Sequence, residues 1–344
     1  MIKDAIGKVI TGTDLTEAEM IDVMHEIMSG DATPAQIGSF ITALRMKGET
    51  IDEIVGAVRV MREKATFVDT GIDTAGGEVL VDIVGTGGDG SGSFNVSTTT
   101  SFVVASAGIP VAKHGNRAVS SHCGSADVLE ALGVDLSLSA EQVGRCVGDI
   151  GIGFLFAPML HGAMKYAIGP RREIGVRTIF NILGPMTNPA GANVQLTGVF
   201  ARELTTKLAD VLVRLGMKRA MVVWGEGNLD ELTVTGKSYI ADGYDGKVEE
   251  MVITPEQFGL QTASMDDIRG GETAEESAEQ VRKVLSGERG AKLDMVLLNA
   301  GATLHAAGKA SDIGSGVELA RELVDSGAAM QKLEQLTGYT PVEG

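Results

Sequence analysis

The sequence predicts an α/β protein: a small N-terminal helical domain followed by a larger domain with a mainly parallel central sheet covered by helices. Three observations predict it. The first 65 or so residues carry helix start and stop signals with no strand pattern between them. After residue 78, short apolar runs of strand length alternate with helical patterns, which is the signature of a parallel sheet covered on both faces. Between the first strand and the helix that follows lies the glycine-rich run Gly85-Thr86-Gly87-Gly88-Asp89-Gly90.

The helical part is well punctuated. Thr16 with Glu19 forms a capping-box pattern, and Gly30 is the stop. Thr33 precedes Pro34, a favoured first helical residue, with Gln36 at the third position and Gly48 as the stop after Lys47. Thr50 and Glu53 open a third helix, whose apolar face is Ile51, Ile54, Val55 and Val58. The run Asp69-Thr70-Gly71-Ile72-Asp73-Thr74-Ala75-Gly76-Gly77 reads as the linker out of this part. The expected division is a helical domain over 1–70, joined by helices near 165–185, and an α/β domain over 78–344. In the second part the patterns predict strands at 79–84, 109–112, 152–156, 194–200, 220–224 and 294–299. Helices are predicted at 96–107, 125–132 and 315–336, with another opening at Thr254-Pro255.

Composition narrows the class. The chain has 344 residues, 44% apolar and 22% charged, which is an ordinary globular balance with material for a large core. A formal net charge of −17 is the wrong sign for a general binder of nucleic acid or anionic membrane. Any anion site must then be a local basic island. Two cysteines, Cys123 and Cys146, are too few for a disulfide framework. The start Met1-Ile2-Lys3-Asp4 lacks a signal-peptide pattern, and no apolar run approaches the ~18 residues of a membrane span. The expected location is the cytoplasm.

A strand, a glycine loop and a helix start form an anion site. Glycines let backbone come close, and the helix N-terminus offers free N–H groups and a positive dipole end. Ser93, Asn95, Ser97 and Thr98 add polar groups there. Gly85-x-Gly87-x-x-Gly90 also matches the dinucleotide fingerprint letter for letter. Two features count against it: Asp89 puts a carboxylate where a pyrophosphate must lie, and the next strand ends in Lys113-His114 where that fingerprint needs an acid.

From Val111 to Ala126 there is no acid, but there are Lys113, His114, Arg117 and His122 among glycine, asparagine and serine. The stretch reads as a mobile loop, and charged and hydroxyl donors on such a loop suit a diphosphate. A second island holds Lys165, Arg171, Arg172 and Arg177; Arg171, after a Gly-Pro turn, suits a substrate carboxylate. Asp230-Glu231 follows a buried strand and the turn Gly225-Glu226-Gly227-Asn228. Adjacent carboxylates can hold Mg²⁺, which takes one or two carboxylates plus substrate phosphates. The histidines lack the close pairing of a zinc site.

Taken together, these segments resemble the anthranilate phosphoribosyltransferase family of tryptophan biosynthesis. The resemblance rests on Gly85-Thr86-Gly87-Gly88-Asp89, Asn95-Val96-Ser97-Thr98, Lys113-His114-Gly115-Asn116-Arg117, and Gly124-Ser125-Ala126-Asp127. It continues through Arg177-Thr178-Ile179-Phe180-Asn181-Ile182-Leu183-Gly184-Pro185, Asn188-Pro189-Ala190 and Asp230-Glu231, in family order. His122-Cys123, Gly162 and Met186 depart from common family residues.

The resemblance implies transfer of a phosphoribosyl group from phosphoribosyl pyrophosphate to the amine of anthranilate. It implies that Gly85, Gly88, Asp89, Ser93, Asn95, Val96, Ser97, Thr98, Lys113, His114, Gly115, Asn116, Arg117, Ala118, Val119, Ser120, Ser121 and Ser125 hold phosphoribosyl pyrophosphate. It implies that Gly85, Asn116 and Arg171 meet anthranilate, and that Ser97, Asp230 and Glu231 serve Mg²⁺, two ions per site. Lys113 and Arg117 supply positive charge, no side chain acts as a covalent nucleophile, and the protein is a homodimer. Two alternatives remain open: a pyrimidine nucleoside phosphorylase of the same fold, and a nucleic-acid-binding relative without the activity, which should be basic.

Overall fold

The computed structural model describes residues 1–118 and 123–341, and every count refers to these residues. Four helices come first: α1 (Ile2–Val9), α2 (Glu17–Ser29), α3 (Pro34–Lys47) and α4 (Ile51–Lys64). The capping boxes at Thr16, Thr33 and Thr50 form as the sequence predicts, each contributing about 1 kcal/mol. Helix α1 was not foreseen, because its start lacks a side-chain cap.

Strands β1 (Val81–Gly85), β2 (Val111–Gly115), β3 (Ile152–Phe156), β4 (Val194–Gly198), β5 (Arg219–Gly225), β6 (Ser238–Tyr244) and β7 (Lys247–Ile253) form one sheet in the order β3-β2-β1-β4-β5-β6-β7. The first five are mutually parallel, and β6 and β7 join antiparallel at one edge. The connecting helices are α5 (Val96–Ser106), α6 (Ser125–Leu132), α7 (Ala140–Ile150), α8 (Ala157–Leu160), α9 (Lys165–Ile174), α10 (Phe180–Leu183) and α11 (Leu204–Arg214). After the sheet come α12 (Ala274–Leu285), α13 (Ala291–Ala306), α14 (Ile313–Asp325) and α15 (Ala328–Thr337).

Alternation along the strands divides the core. Met221 and Val223 face a cluster with Val81, Ile83, α5 and α13, whereas Ala220 and Val222 face a cluster that contains α2, α3 and α4. Ala167 of α9 and Phe180, Ile182 and Leu183 of α10 pack into that second cluster, so segments remote in sequence join the N-terminal helices.

Three expectations are corrected. Residues 294–299 lie inside α13, a helix buried on nearly every side, so its apolar run has no amphipathic period to separate it from a strand. Thr254-Pro255 opens only a single 3₁₀ turn, Pro255–Phe258. The second strand runs to Gly115, past the predicted end at 112, and so contains Lys113 and His114.

The chain winds from β1 outward through β2 to β3, then returns to place β4 on the other side of β1. The C-terminal ends of β1 and β4 are therefore a topological switch point, where such sheets leave a crevice. Gly85 and Gly198 are paired across it.

Candidate active site

Everything at the crevice is built around a close approach. Asp230 crosses the ends of β1 and β4, and it fits because both strands end in glycine. A Cβ on Gly198 would lie 1.4 Å from the Asp230 carbonyl oxygen, and one on Gly85 would lie 2.3 Å from its carboxylate. Asp230 Oδ2 accepts the Gly87 N–H at 2.7 Å, which ties the acid pair to the glycine loop. The loop turns through positive φ at Gly87 and Gly88, 66° and 70°, which glycine adopts without strain. Asp89 caps the Ser91 N–H at 3.1 Å and reaches toward the Asp230 N–H at 3.5 Å. The far end of the loop is held by residues much later in the chain, with Phe94 N–H on the Ile268 carbonyl at 3.0 Å and Gly270 N–H on the Gly92 carbonyl at 2.8 Å.

The N-terminus of α5 opens onto this crevice. Its N-cap residue Asn95 makes no side-chain cap bond and donates to the Cys123 carbonyl at 3.2 Å instead. In the first turn the Val96 N–H donates to the Phe94 carbonyl at 2.7 Å. The Ser97 N–H is directed at the Glu231 carboxylate. Val96 and Thr98 are buried beneath the turn, and Thr98 Oγ1 is without a hydrogen-bond partner.

Lys113 is not on a loop. It is inside β2 and only 3% exposed, with Nζ donating to the Ile83 carbonyl at 2.6 Å and to Ser97 Oγ at 3.2 Å. Burial lowers its pKa, and Asp82, Glu231 and Asp230 act in the opposite direction. Burial, and then the neighbouring Asp89 charge, push Asp230 up to about 7; burial and Asp230 push Glu231 well above the ordinary carboxylate range. Carboxylates crowded in this way gain from a divalent cation. Among the described residues no three His, Cys, Asp or Glu side chains form a ready-made metal cage. A sparse protein ligand set is what Mg²⁺ uses beside substrate phosphates.

His114, also in β2, meets His161 with Nε2 atoms 3.1 Å apart. Burial holds His114 down at about 3 and His161 at about 4, so the pair is neutral at pH 7. The sequence separation of 47 residues hid this partnership. Gly115 and Asn116 follow at the strand end, where the Asn116 carbonyl accepts the Ala126 N–H at 3.2 Å, bringing Ser125 of α6 beside them. Arg117 turns its guanidinium onto Asp127 at 2.9 Å and Glu130 at 2.8 Å, while Asp127 also accepts the Ala118 N–H at 3.0 Å. Val119, Ser120, Ser121 and His122 lie outside the described residues.

Arg171 does not follow a turn: Gly169 and Pro170 are inside α9, and so is Arg171. Its guanidinium is 5.3 Å from the centre of the Phe180 ring, and it makes no ion pair among the described residues. Burial lowers its pKa. Arg177, a weaker candidate in sequence, reaches the carbonyl of Gly88 and stacks on Phe200 at 4.2 Å. It joins the segment between α9 and α10 to the glycine loop.

The crevice at the switch point thus joins a glycine loop to an acid pair, and the sequence supplies the class of protein built on it, a transferase of glycosyl groups. Residues 77–330 match the family described as "Glycosyl transferase family, a/b domain", and residues 3–65 match its "helical bundle domain". The anthranilate phosphoribosyltransferase of Desulfotalea psychrophila is 68% identical over 98% of this chain and 97% of its own. The crystal structure of the Thermus thermophilus enzyme superposes with a TM-score of 0.91 at 44% identity, covering 97% of this chain and 98% of that one. The Saccharomyces cerevisiae enzyme in complex with PRPP and Mg has a TM-score of 0.85 at 27% identity, covering 97% and 96%. The chain belongs to the anthranilate phosphoribosyltransferase family.

Proposed function

We propose that this chain transfers the phosphoribosyl group of 5-phosphoribosyl 1-pyrophosphate to the amine of anthranilate, releasing pyrophosphate, in tryptophan biosynthesis. The observation that carries it is the Asp230 carboxylate bonded to the Gly87 N–H beneath two strand-end glycines, which joins an acid pair to a phosphate-type loop. The division of labour proposed is a helical domain over 1–70 and a phosphoribosyl-pyrophosphate domain over 78–344. The protein is proposed to work as a cytoplasmic homodimer. Among the described residues no helix is long and apolar enough to cross a membrane.

The diphosphate and sugar are proposed to lie along Gly85, Gly88, Asp89, Ser93, the start of α5 from Asn95 to Thr98, the segment from Lys113 to Ser121, and Ser125. Ser97, Asp230 and Glu231 would hold Mg²⁺, two ions per site, and the metal would supply charge neutralisation for the pyrophosphate. Lys113 faces the same charge as it develops on the leaving group. Arg117, the other proposed source of positive charge, is held by Asp127 and Glu130 and would have to leave them to face the diphosphate. The aryl amine of anthranilate is neutral at pH 7 and needs no strong base, and the neutral His114–His161 pair fits a site that positions rather than deprotonates. Anthranilate is proposed to sit by Gly85 and Asn116, with its carboxylate on Arg171.

Loss of anthranilate fluorescence with phosphoribosyl pyrophosphate, with and without Mg²⁺, tests the reading; phosphorolysis of thymidine in its place would overturn it. Arg171→Ala is expected to raise the anthranilate KM about 10- to 100-fold, the value of a lost charge-assisted bond, with little change in the phosphoribosyl pyrophosphate KM. An unchanged anthranilate KM removes Arg171 from its role.

A further inference from the structure

Asn299 sits in the middle of α13 and is fully buried, at 0% exposure. An asparagine there is an odd choice. It is a poorer helix former than alanine by about 0.7 kcal/mol, and its amide must be satisfied away from water. Both functions of that amide are used, and mostly on one distant residue. Oδ1 accepts the Leu232 N–H at 3.1 Å, and Nδ2 donates to the Leu232 carbonyl at 2.8 Å and to the Met295 carbonyl at 2.8 Å.

Leu232 is the residue after Glu231. Two hydrogen bonds to one residue fix the peptide planes on both sides of it, as a paired strand would. The other end of the segment is fixed as well: Leu229 and Gly225 exchange N–H to carbonyl bonds at 2.8 and 3.1 Å. Asp230 and Glu231 are thus suspended between two backbone clamps, and the second is a side chain 67 residues away in sequence. Asn299 does this with no bond to either carboxylate.

We propose that Asn299 is a positioning residue for the Asp230–Glu231 pair, holding it in the geometry that receives Mg²⁺ with the diphosphate. The inference rests on the assignment of that pair to the metal under the proposed function. Partners that hydrogen-bond metal-holding groups directly are worth about 10- to 100-fold in metal affinity, and that range bounds the effect of a clamp on the adjoining backbone.

The test measures Mn²⁺ binding by electron paramagnetic resonance in the presence of phosphoribosyl pyrophosphate, on the full-length protein. Asn299→Ala is expected to weaken Mn²⁺ binding about 10- to 100-fold and to raise the Mg²⁺ half-saturation of turnover by a similar factor. The anthranilate KM at saturating Mg²⁺ should not move. Asn299→Ser, which leaves a smaller cavity, is measured in parallel so that poor folding of the alanine variant does not end the test. Thr303→Val is the structural control: its Oγ1 bonds the Asn299 carbonyl at 2.8 Å inside the same helix and nothing in the acid-pair segment. It should change thermal stability and leave Mn²⁺ affinity at the wild-type value. If the Asn299 variants lose stability as Thr303→Val does but bind Mn²⁺ normally, Asn299 is only a core residue and the inference is overturned. Asp230→Asn combined with Glu231→Gln separates the two levels. If that double variant keeps Mn²⁺ affinity, the metal assignment falls and the inference falls with it. If it loses affinity while the Asn299 variants keep it, the inference alone falls.

Discussion

Gly198→Ala is expected to lower kcat/KM by about 100-fold or more, the scale on which a displacement of about 1 Å disrupts a positioned site. The added Cβ would lie 1.4 Å from the Asp230 carbonyl oxygen and 2.2 Å from its carbon, and both are backbone atoms that no rotamer change can move. The φ of Gly198 is outside the left-handed region, so conformational strain plays no part. The obstacle is purely the crossing chain. The whole segment from Leu229 to Leu232 must lift, carrying the carboxylates away from Gly87 and Ser97. Gly85→Ala is a graded comparison. Its nearest contact is the Asp230 carboxylate at 2.3 Å, which can swing aside at the cost of its bond to the Gly87 N–H, so a smaller loss is expected. Steady-state kinetics with thermal melts on both variants check the order. A folded Gly198→Ala protein with wild-type turnover would show that the acid pair is not what the crevice is built around.

That constraint was only half legible in the sequence. The glycine loop announced itself because several glycines lay between a strand and a helix, whereas Gly198 is one glycine at the end of an apolar run. Nothing in its neighbours says that a chain from residue 230 passes over it. Lys113 and His114 were found by type and misjudged in setting: the serine- and glycine-rich stretch after them suggested a loop, yet both are strand residues buried beneath the crevice. The edge hairpin was missed although its signal was present. Asp245-Gly246 joins β6 to β7 with φ of 50° and 77°, the turn that Asp-Gly favours between paired strands. The reverse error at 294–299 has a different cause. A helix enclosed on nearly all sides loses the 3.6-residue period, and only its length of 16 residues, not its pattern, distinguishes it from a strand. Local chemistry such as caps, turns and loops was readable because it is written in neighbouring residues. The Asn299–Leu232 and His114–His161 partnerships were not, because tertiary contacts alone create them.

Lys113→Met should lower kcat by about 100- to 1000-fold, the cost of removing one preorganised charge from a developing anion. Its ammonium is fixed by the Ile83 carbonyl at 2.6 Å and Ser97 Oγ at 3.2 Å, in a place 3% exposed, so it loses no freedom when substrate arrives. Lys113→Arg should not restore activity, because a planar fork cannot occupy the site of a compact ammonium. A second effect is separable from the first. Asp82 lies fully buried on β1, its carboxylate accepts the His114 N–H at 3.0 Å, and burial already raises it to about 6 against the pull of Lys113. Without that countercharge its pKa is pushed further up. Lys113→Met is therefore expected to lose stability as well, because the buried Asp82 carboxylate loses the positive charge that holds its pKa down. Asp82→Asn added to Lys113→Met removes the stranded carboxylate. Thermal stability should then recover in large part while kcat stays low, and that split assigns the charge of Lys113 at the crevice to the reaction and its longer-range influence on Asp82 to the fold. Recovery of both together would mean that Lys113 acts only through the fold and carries no share of the leaving-group charge.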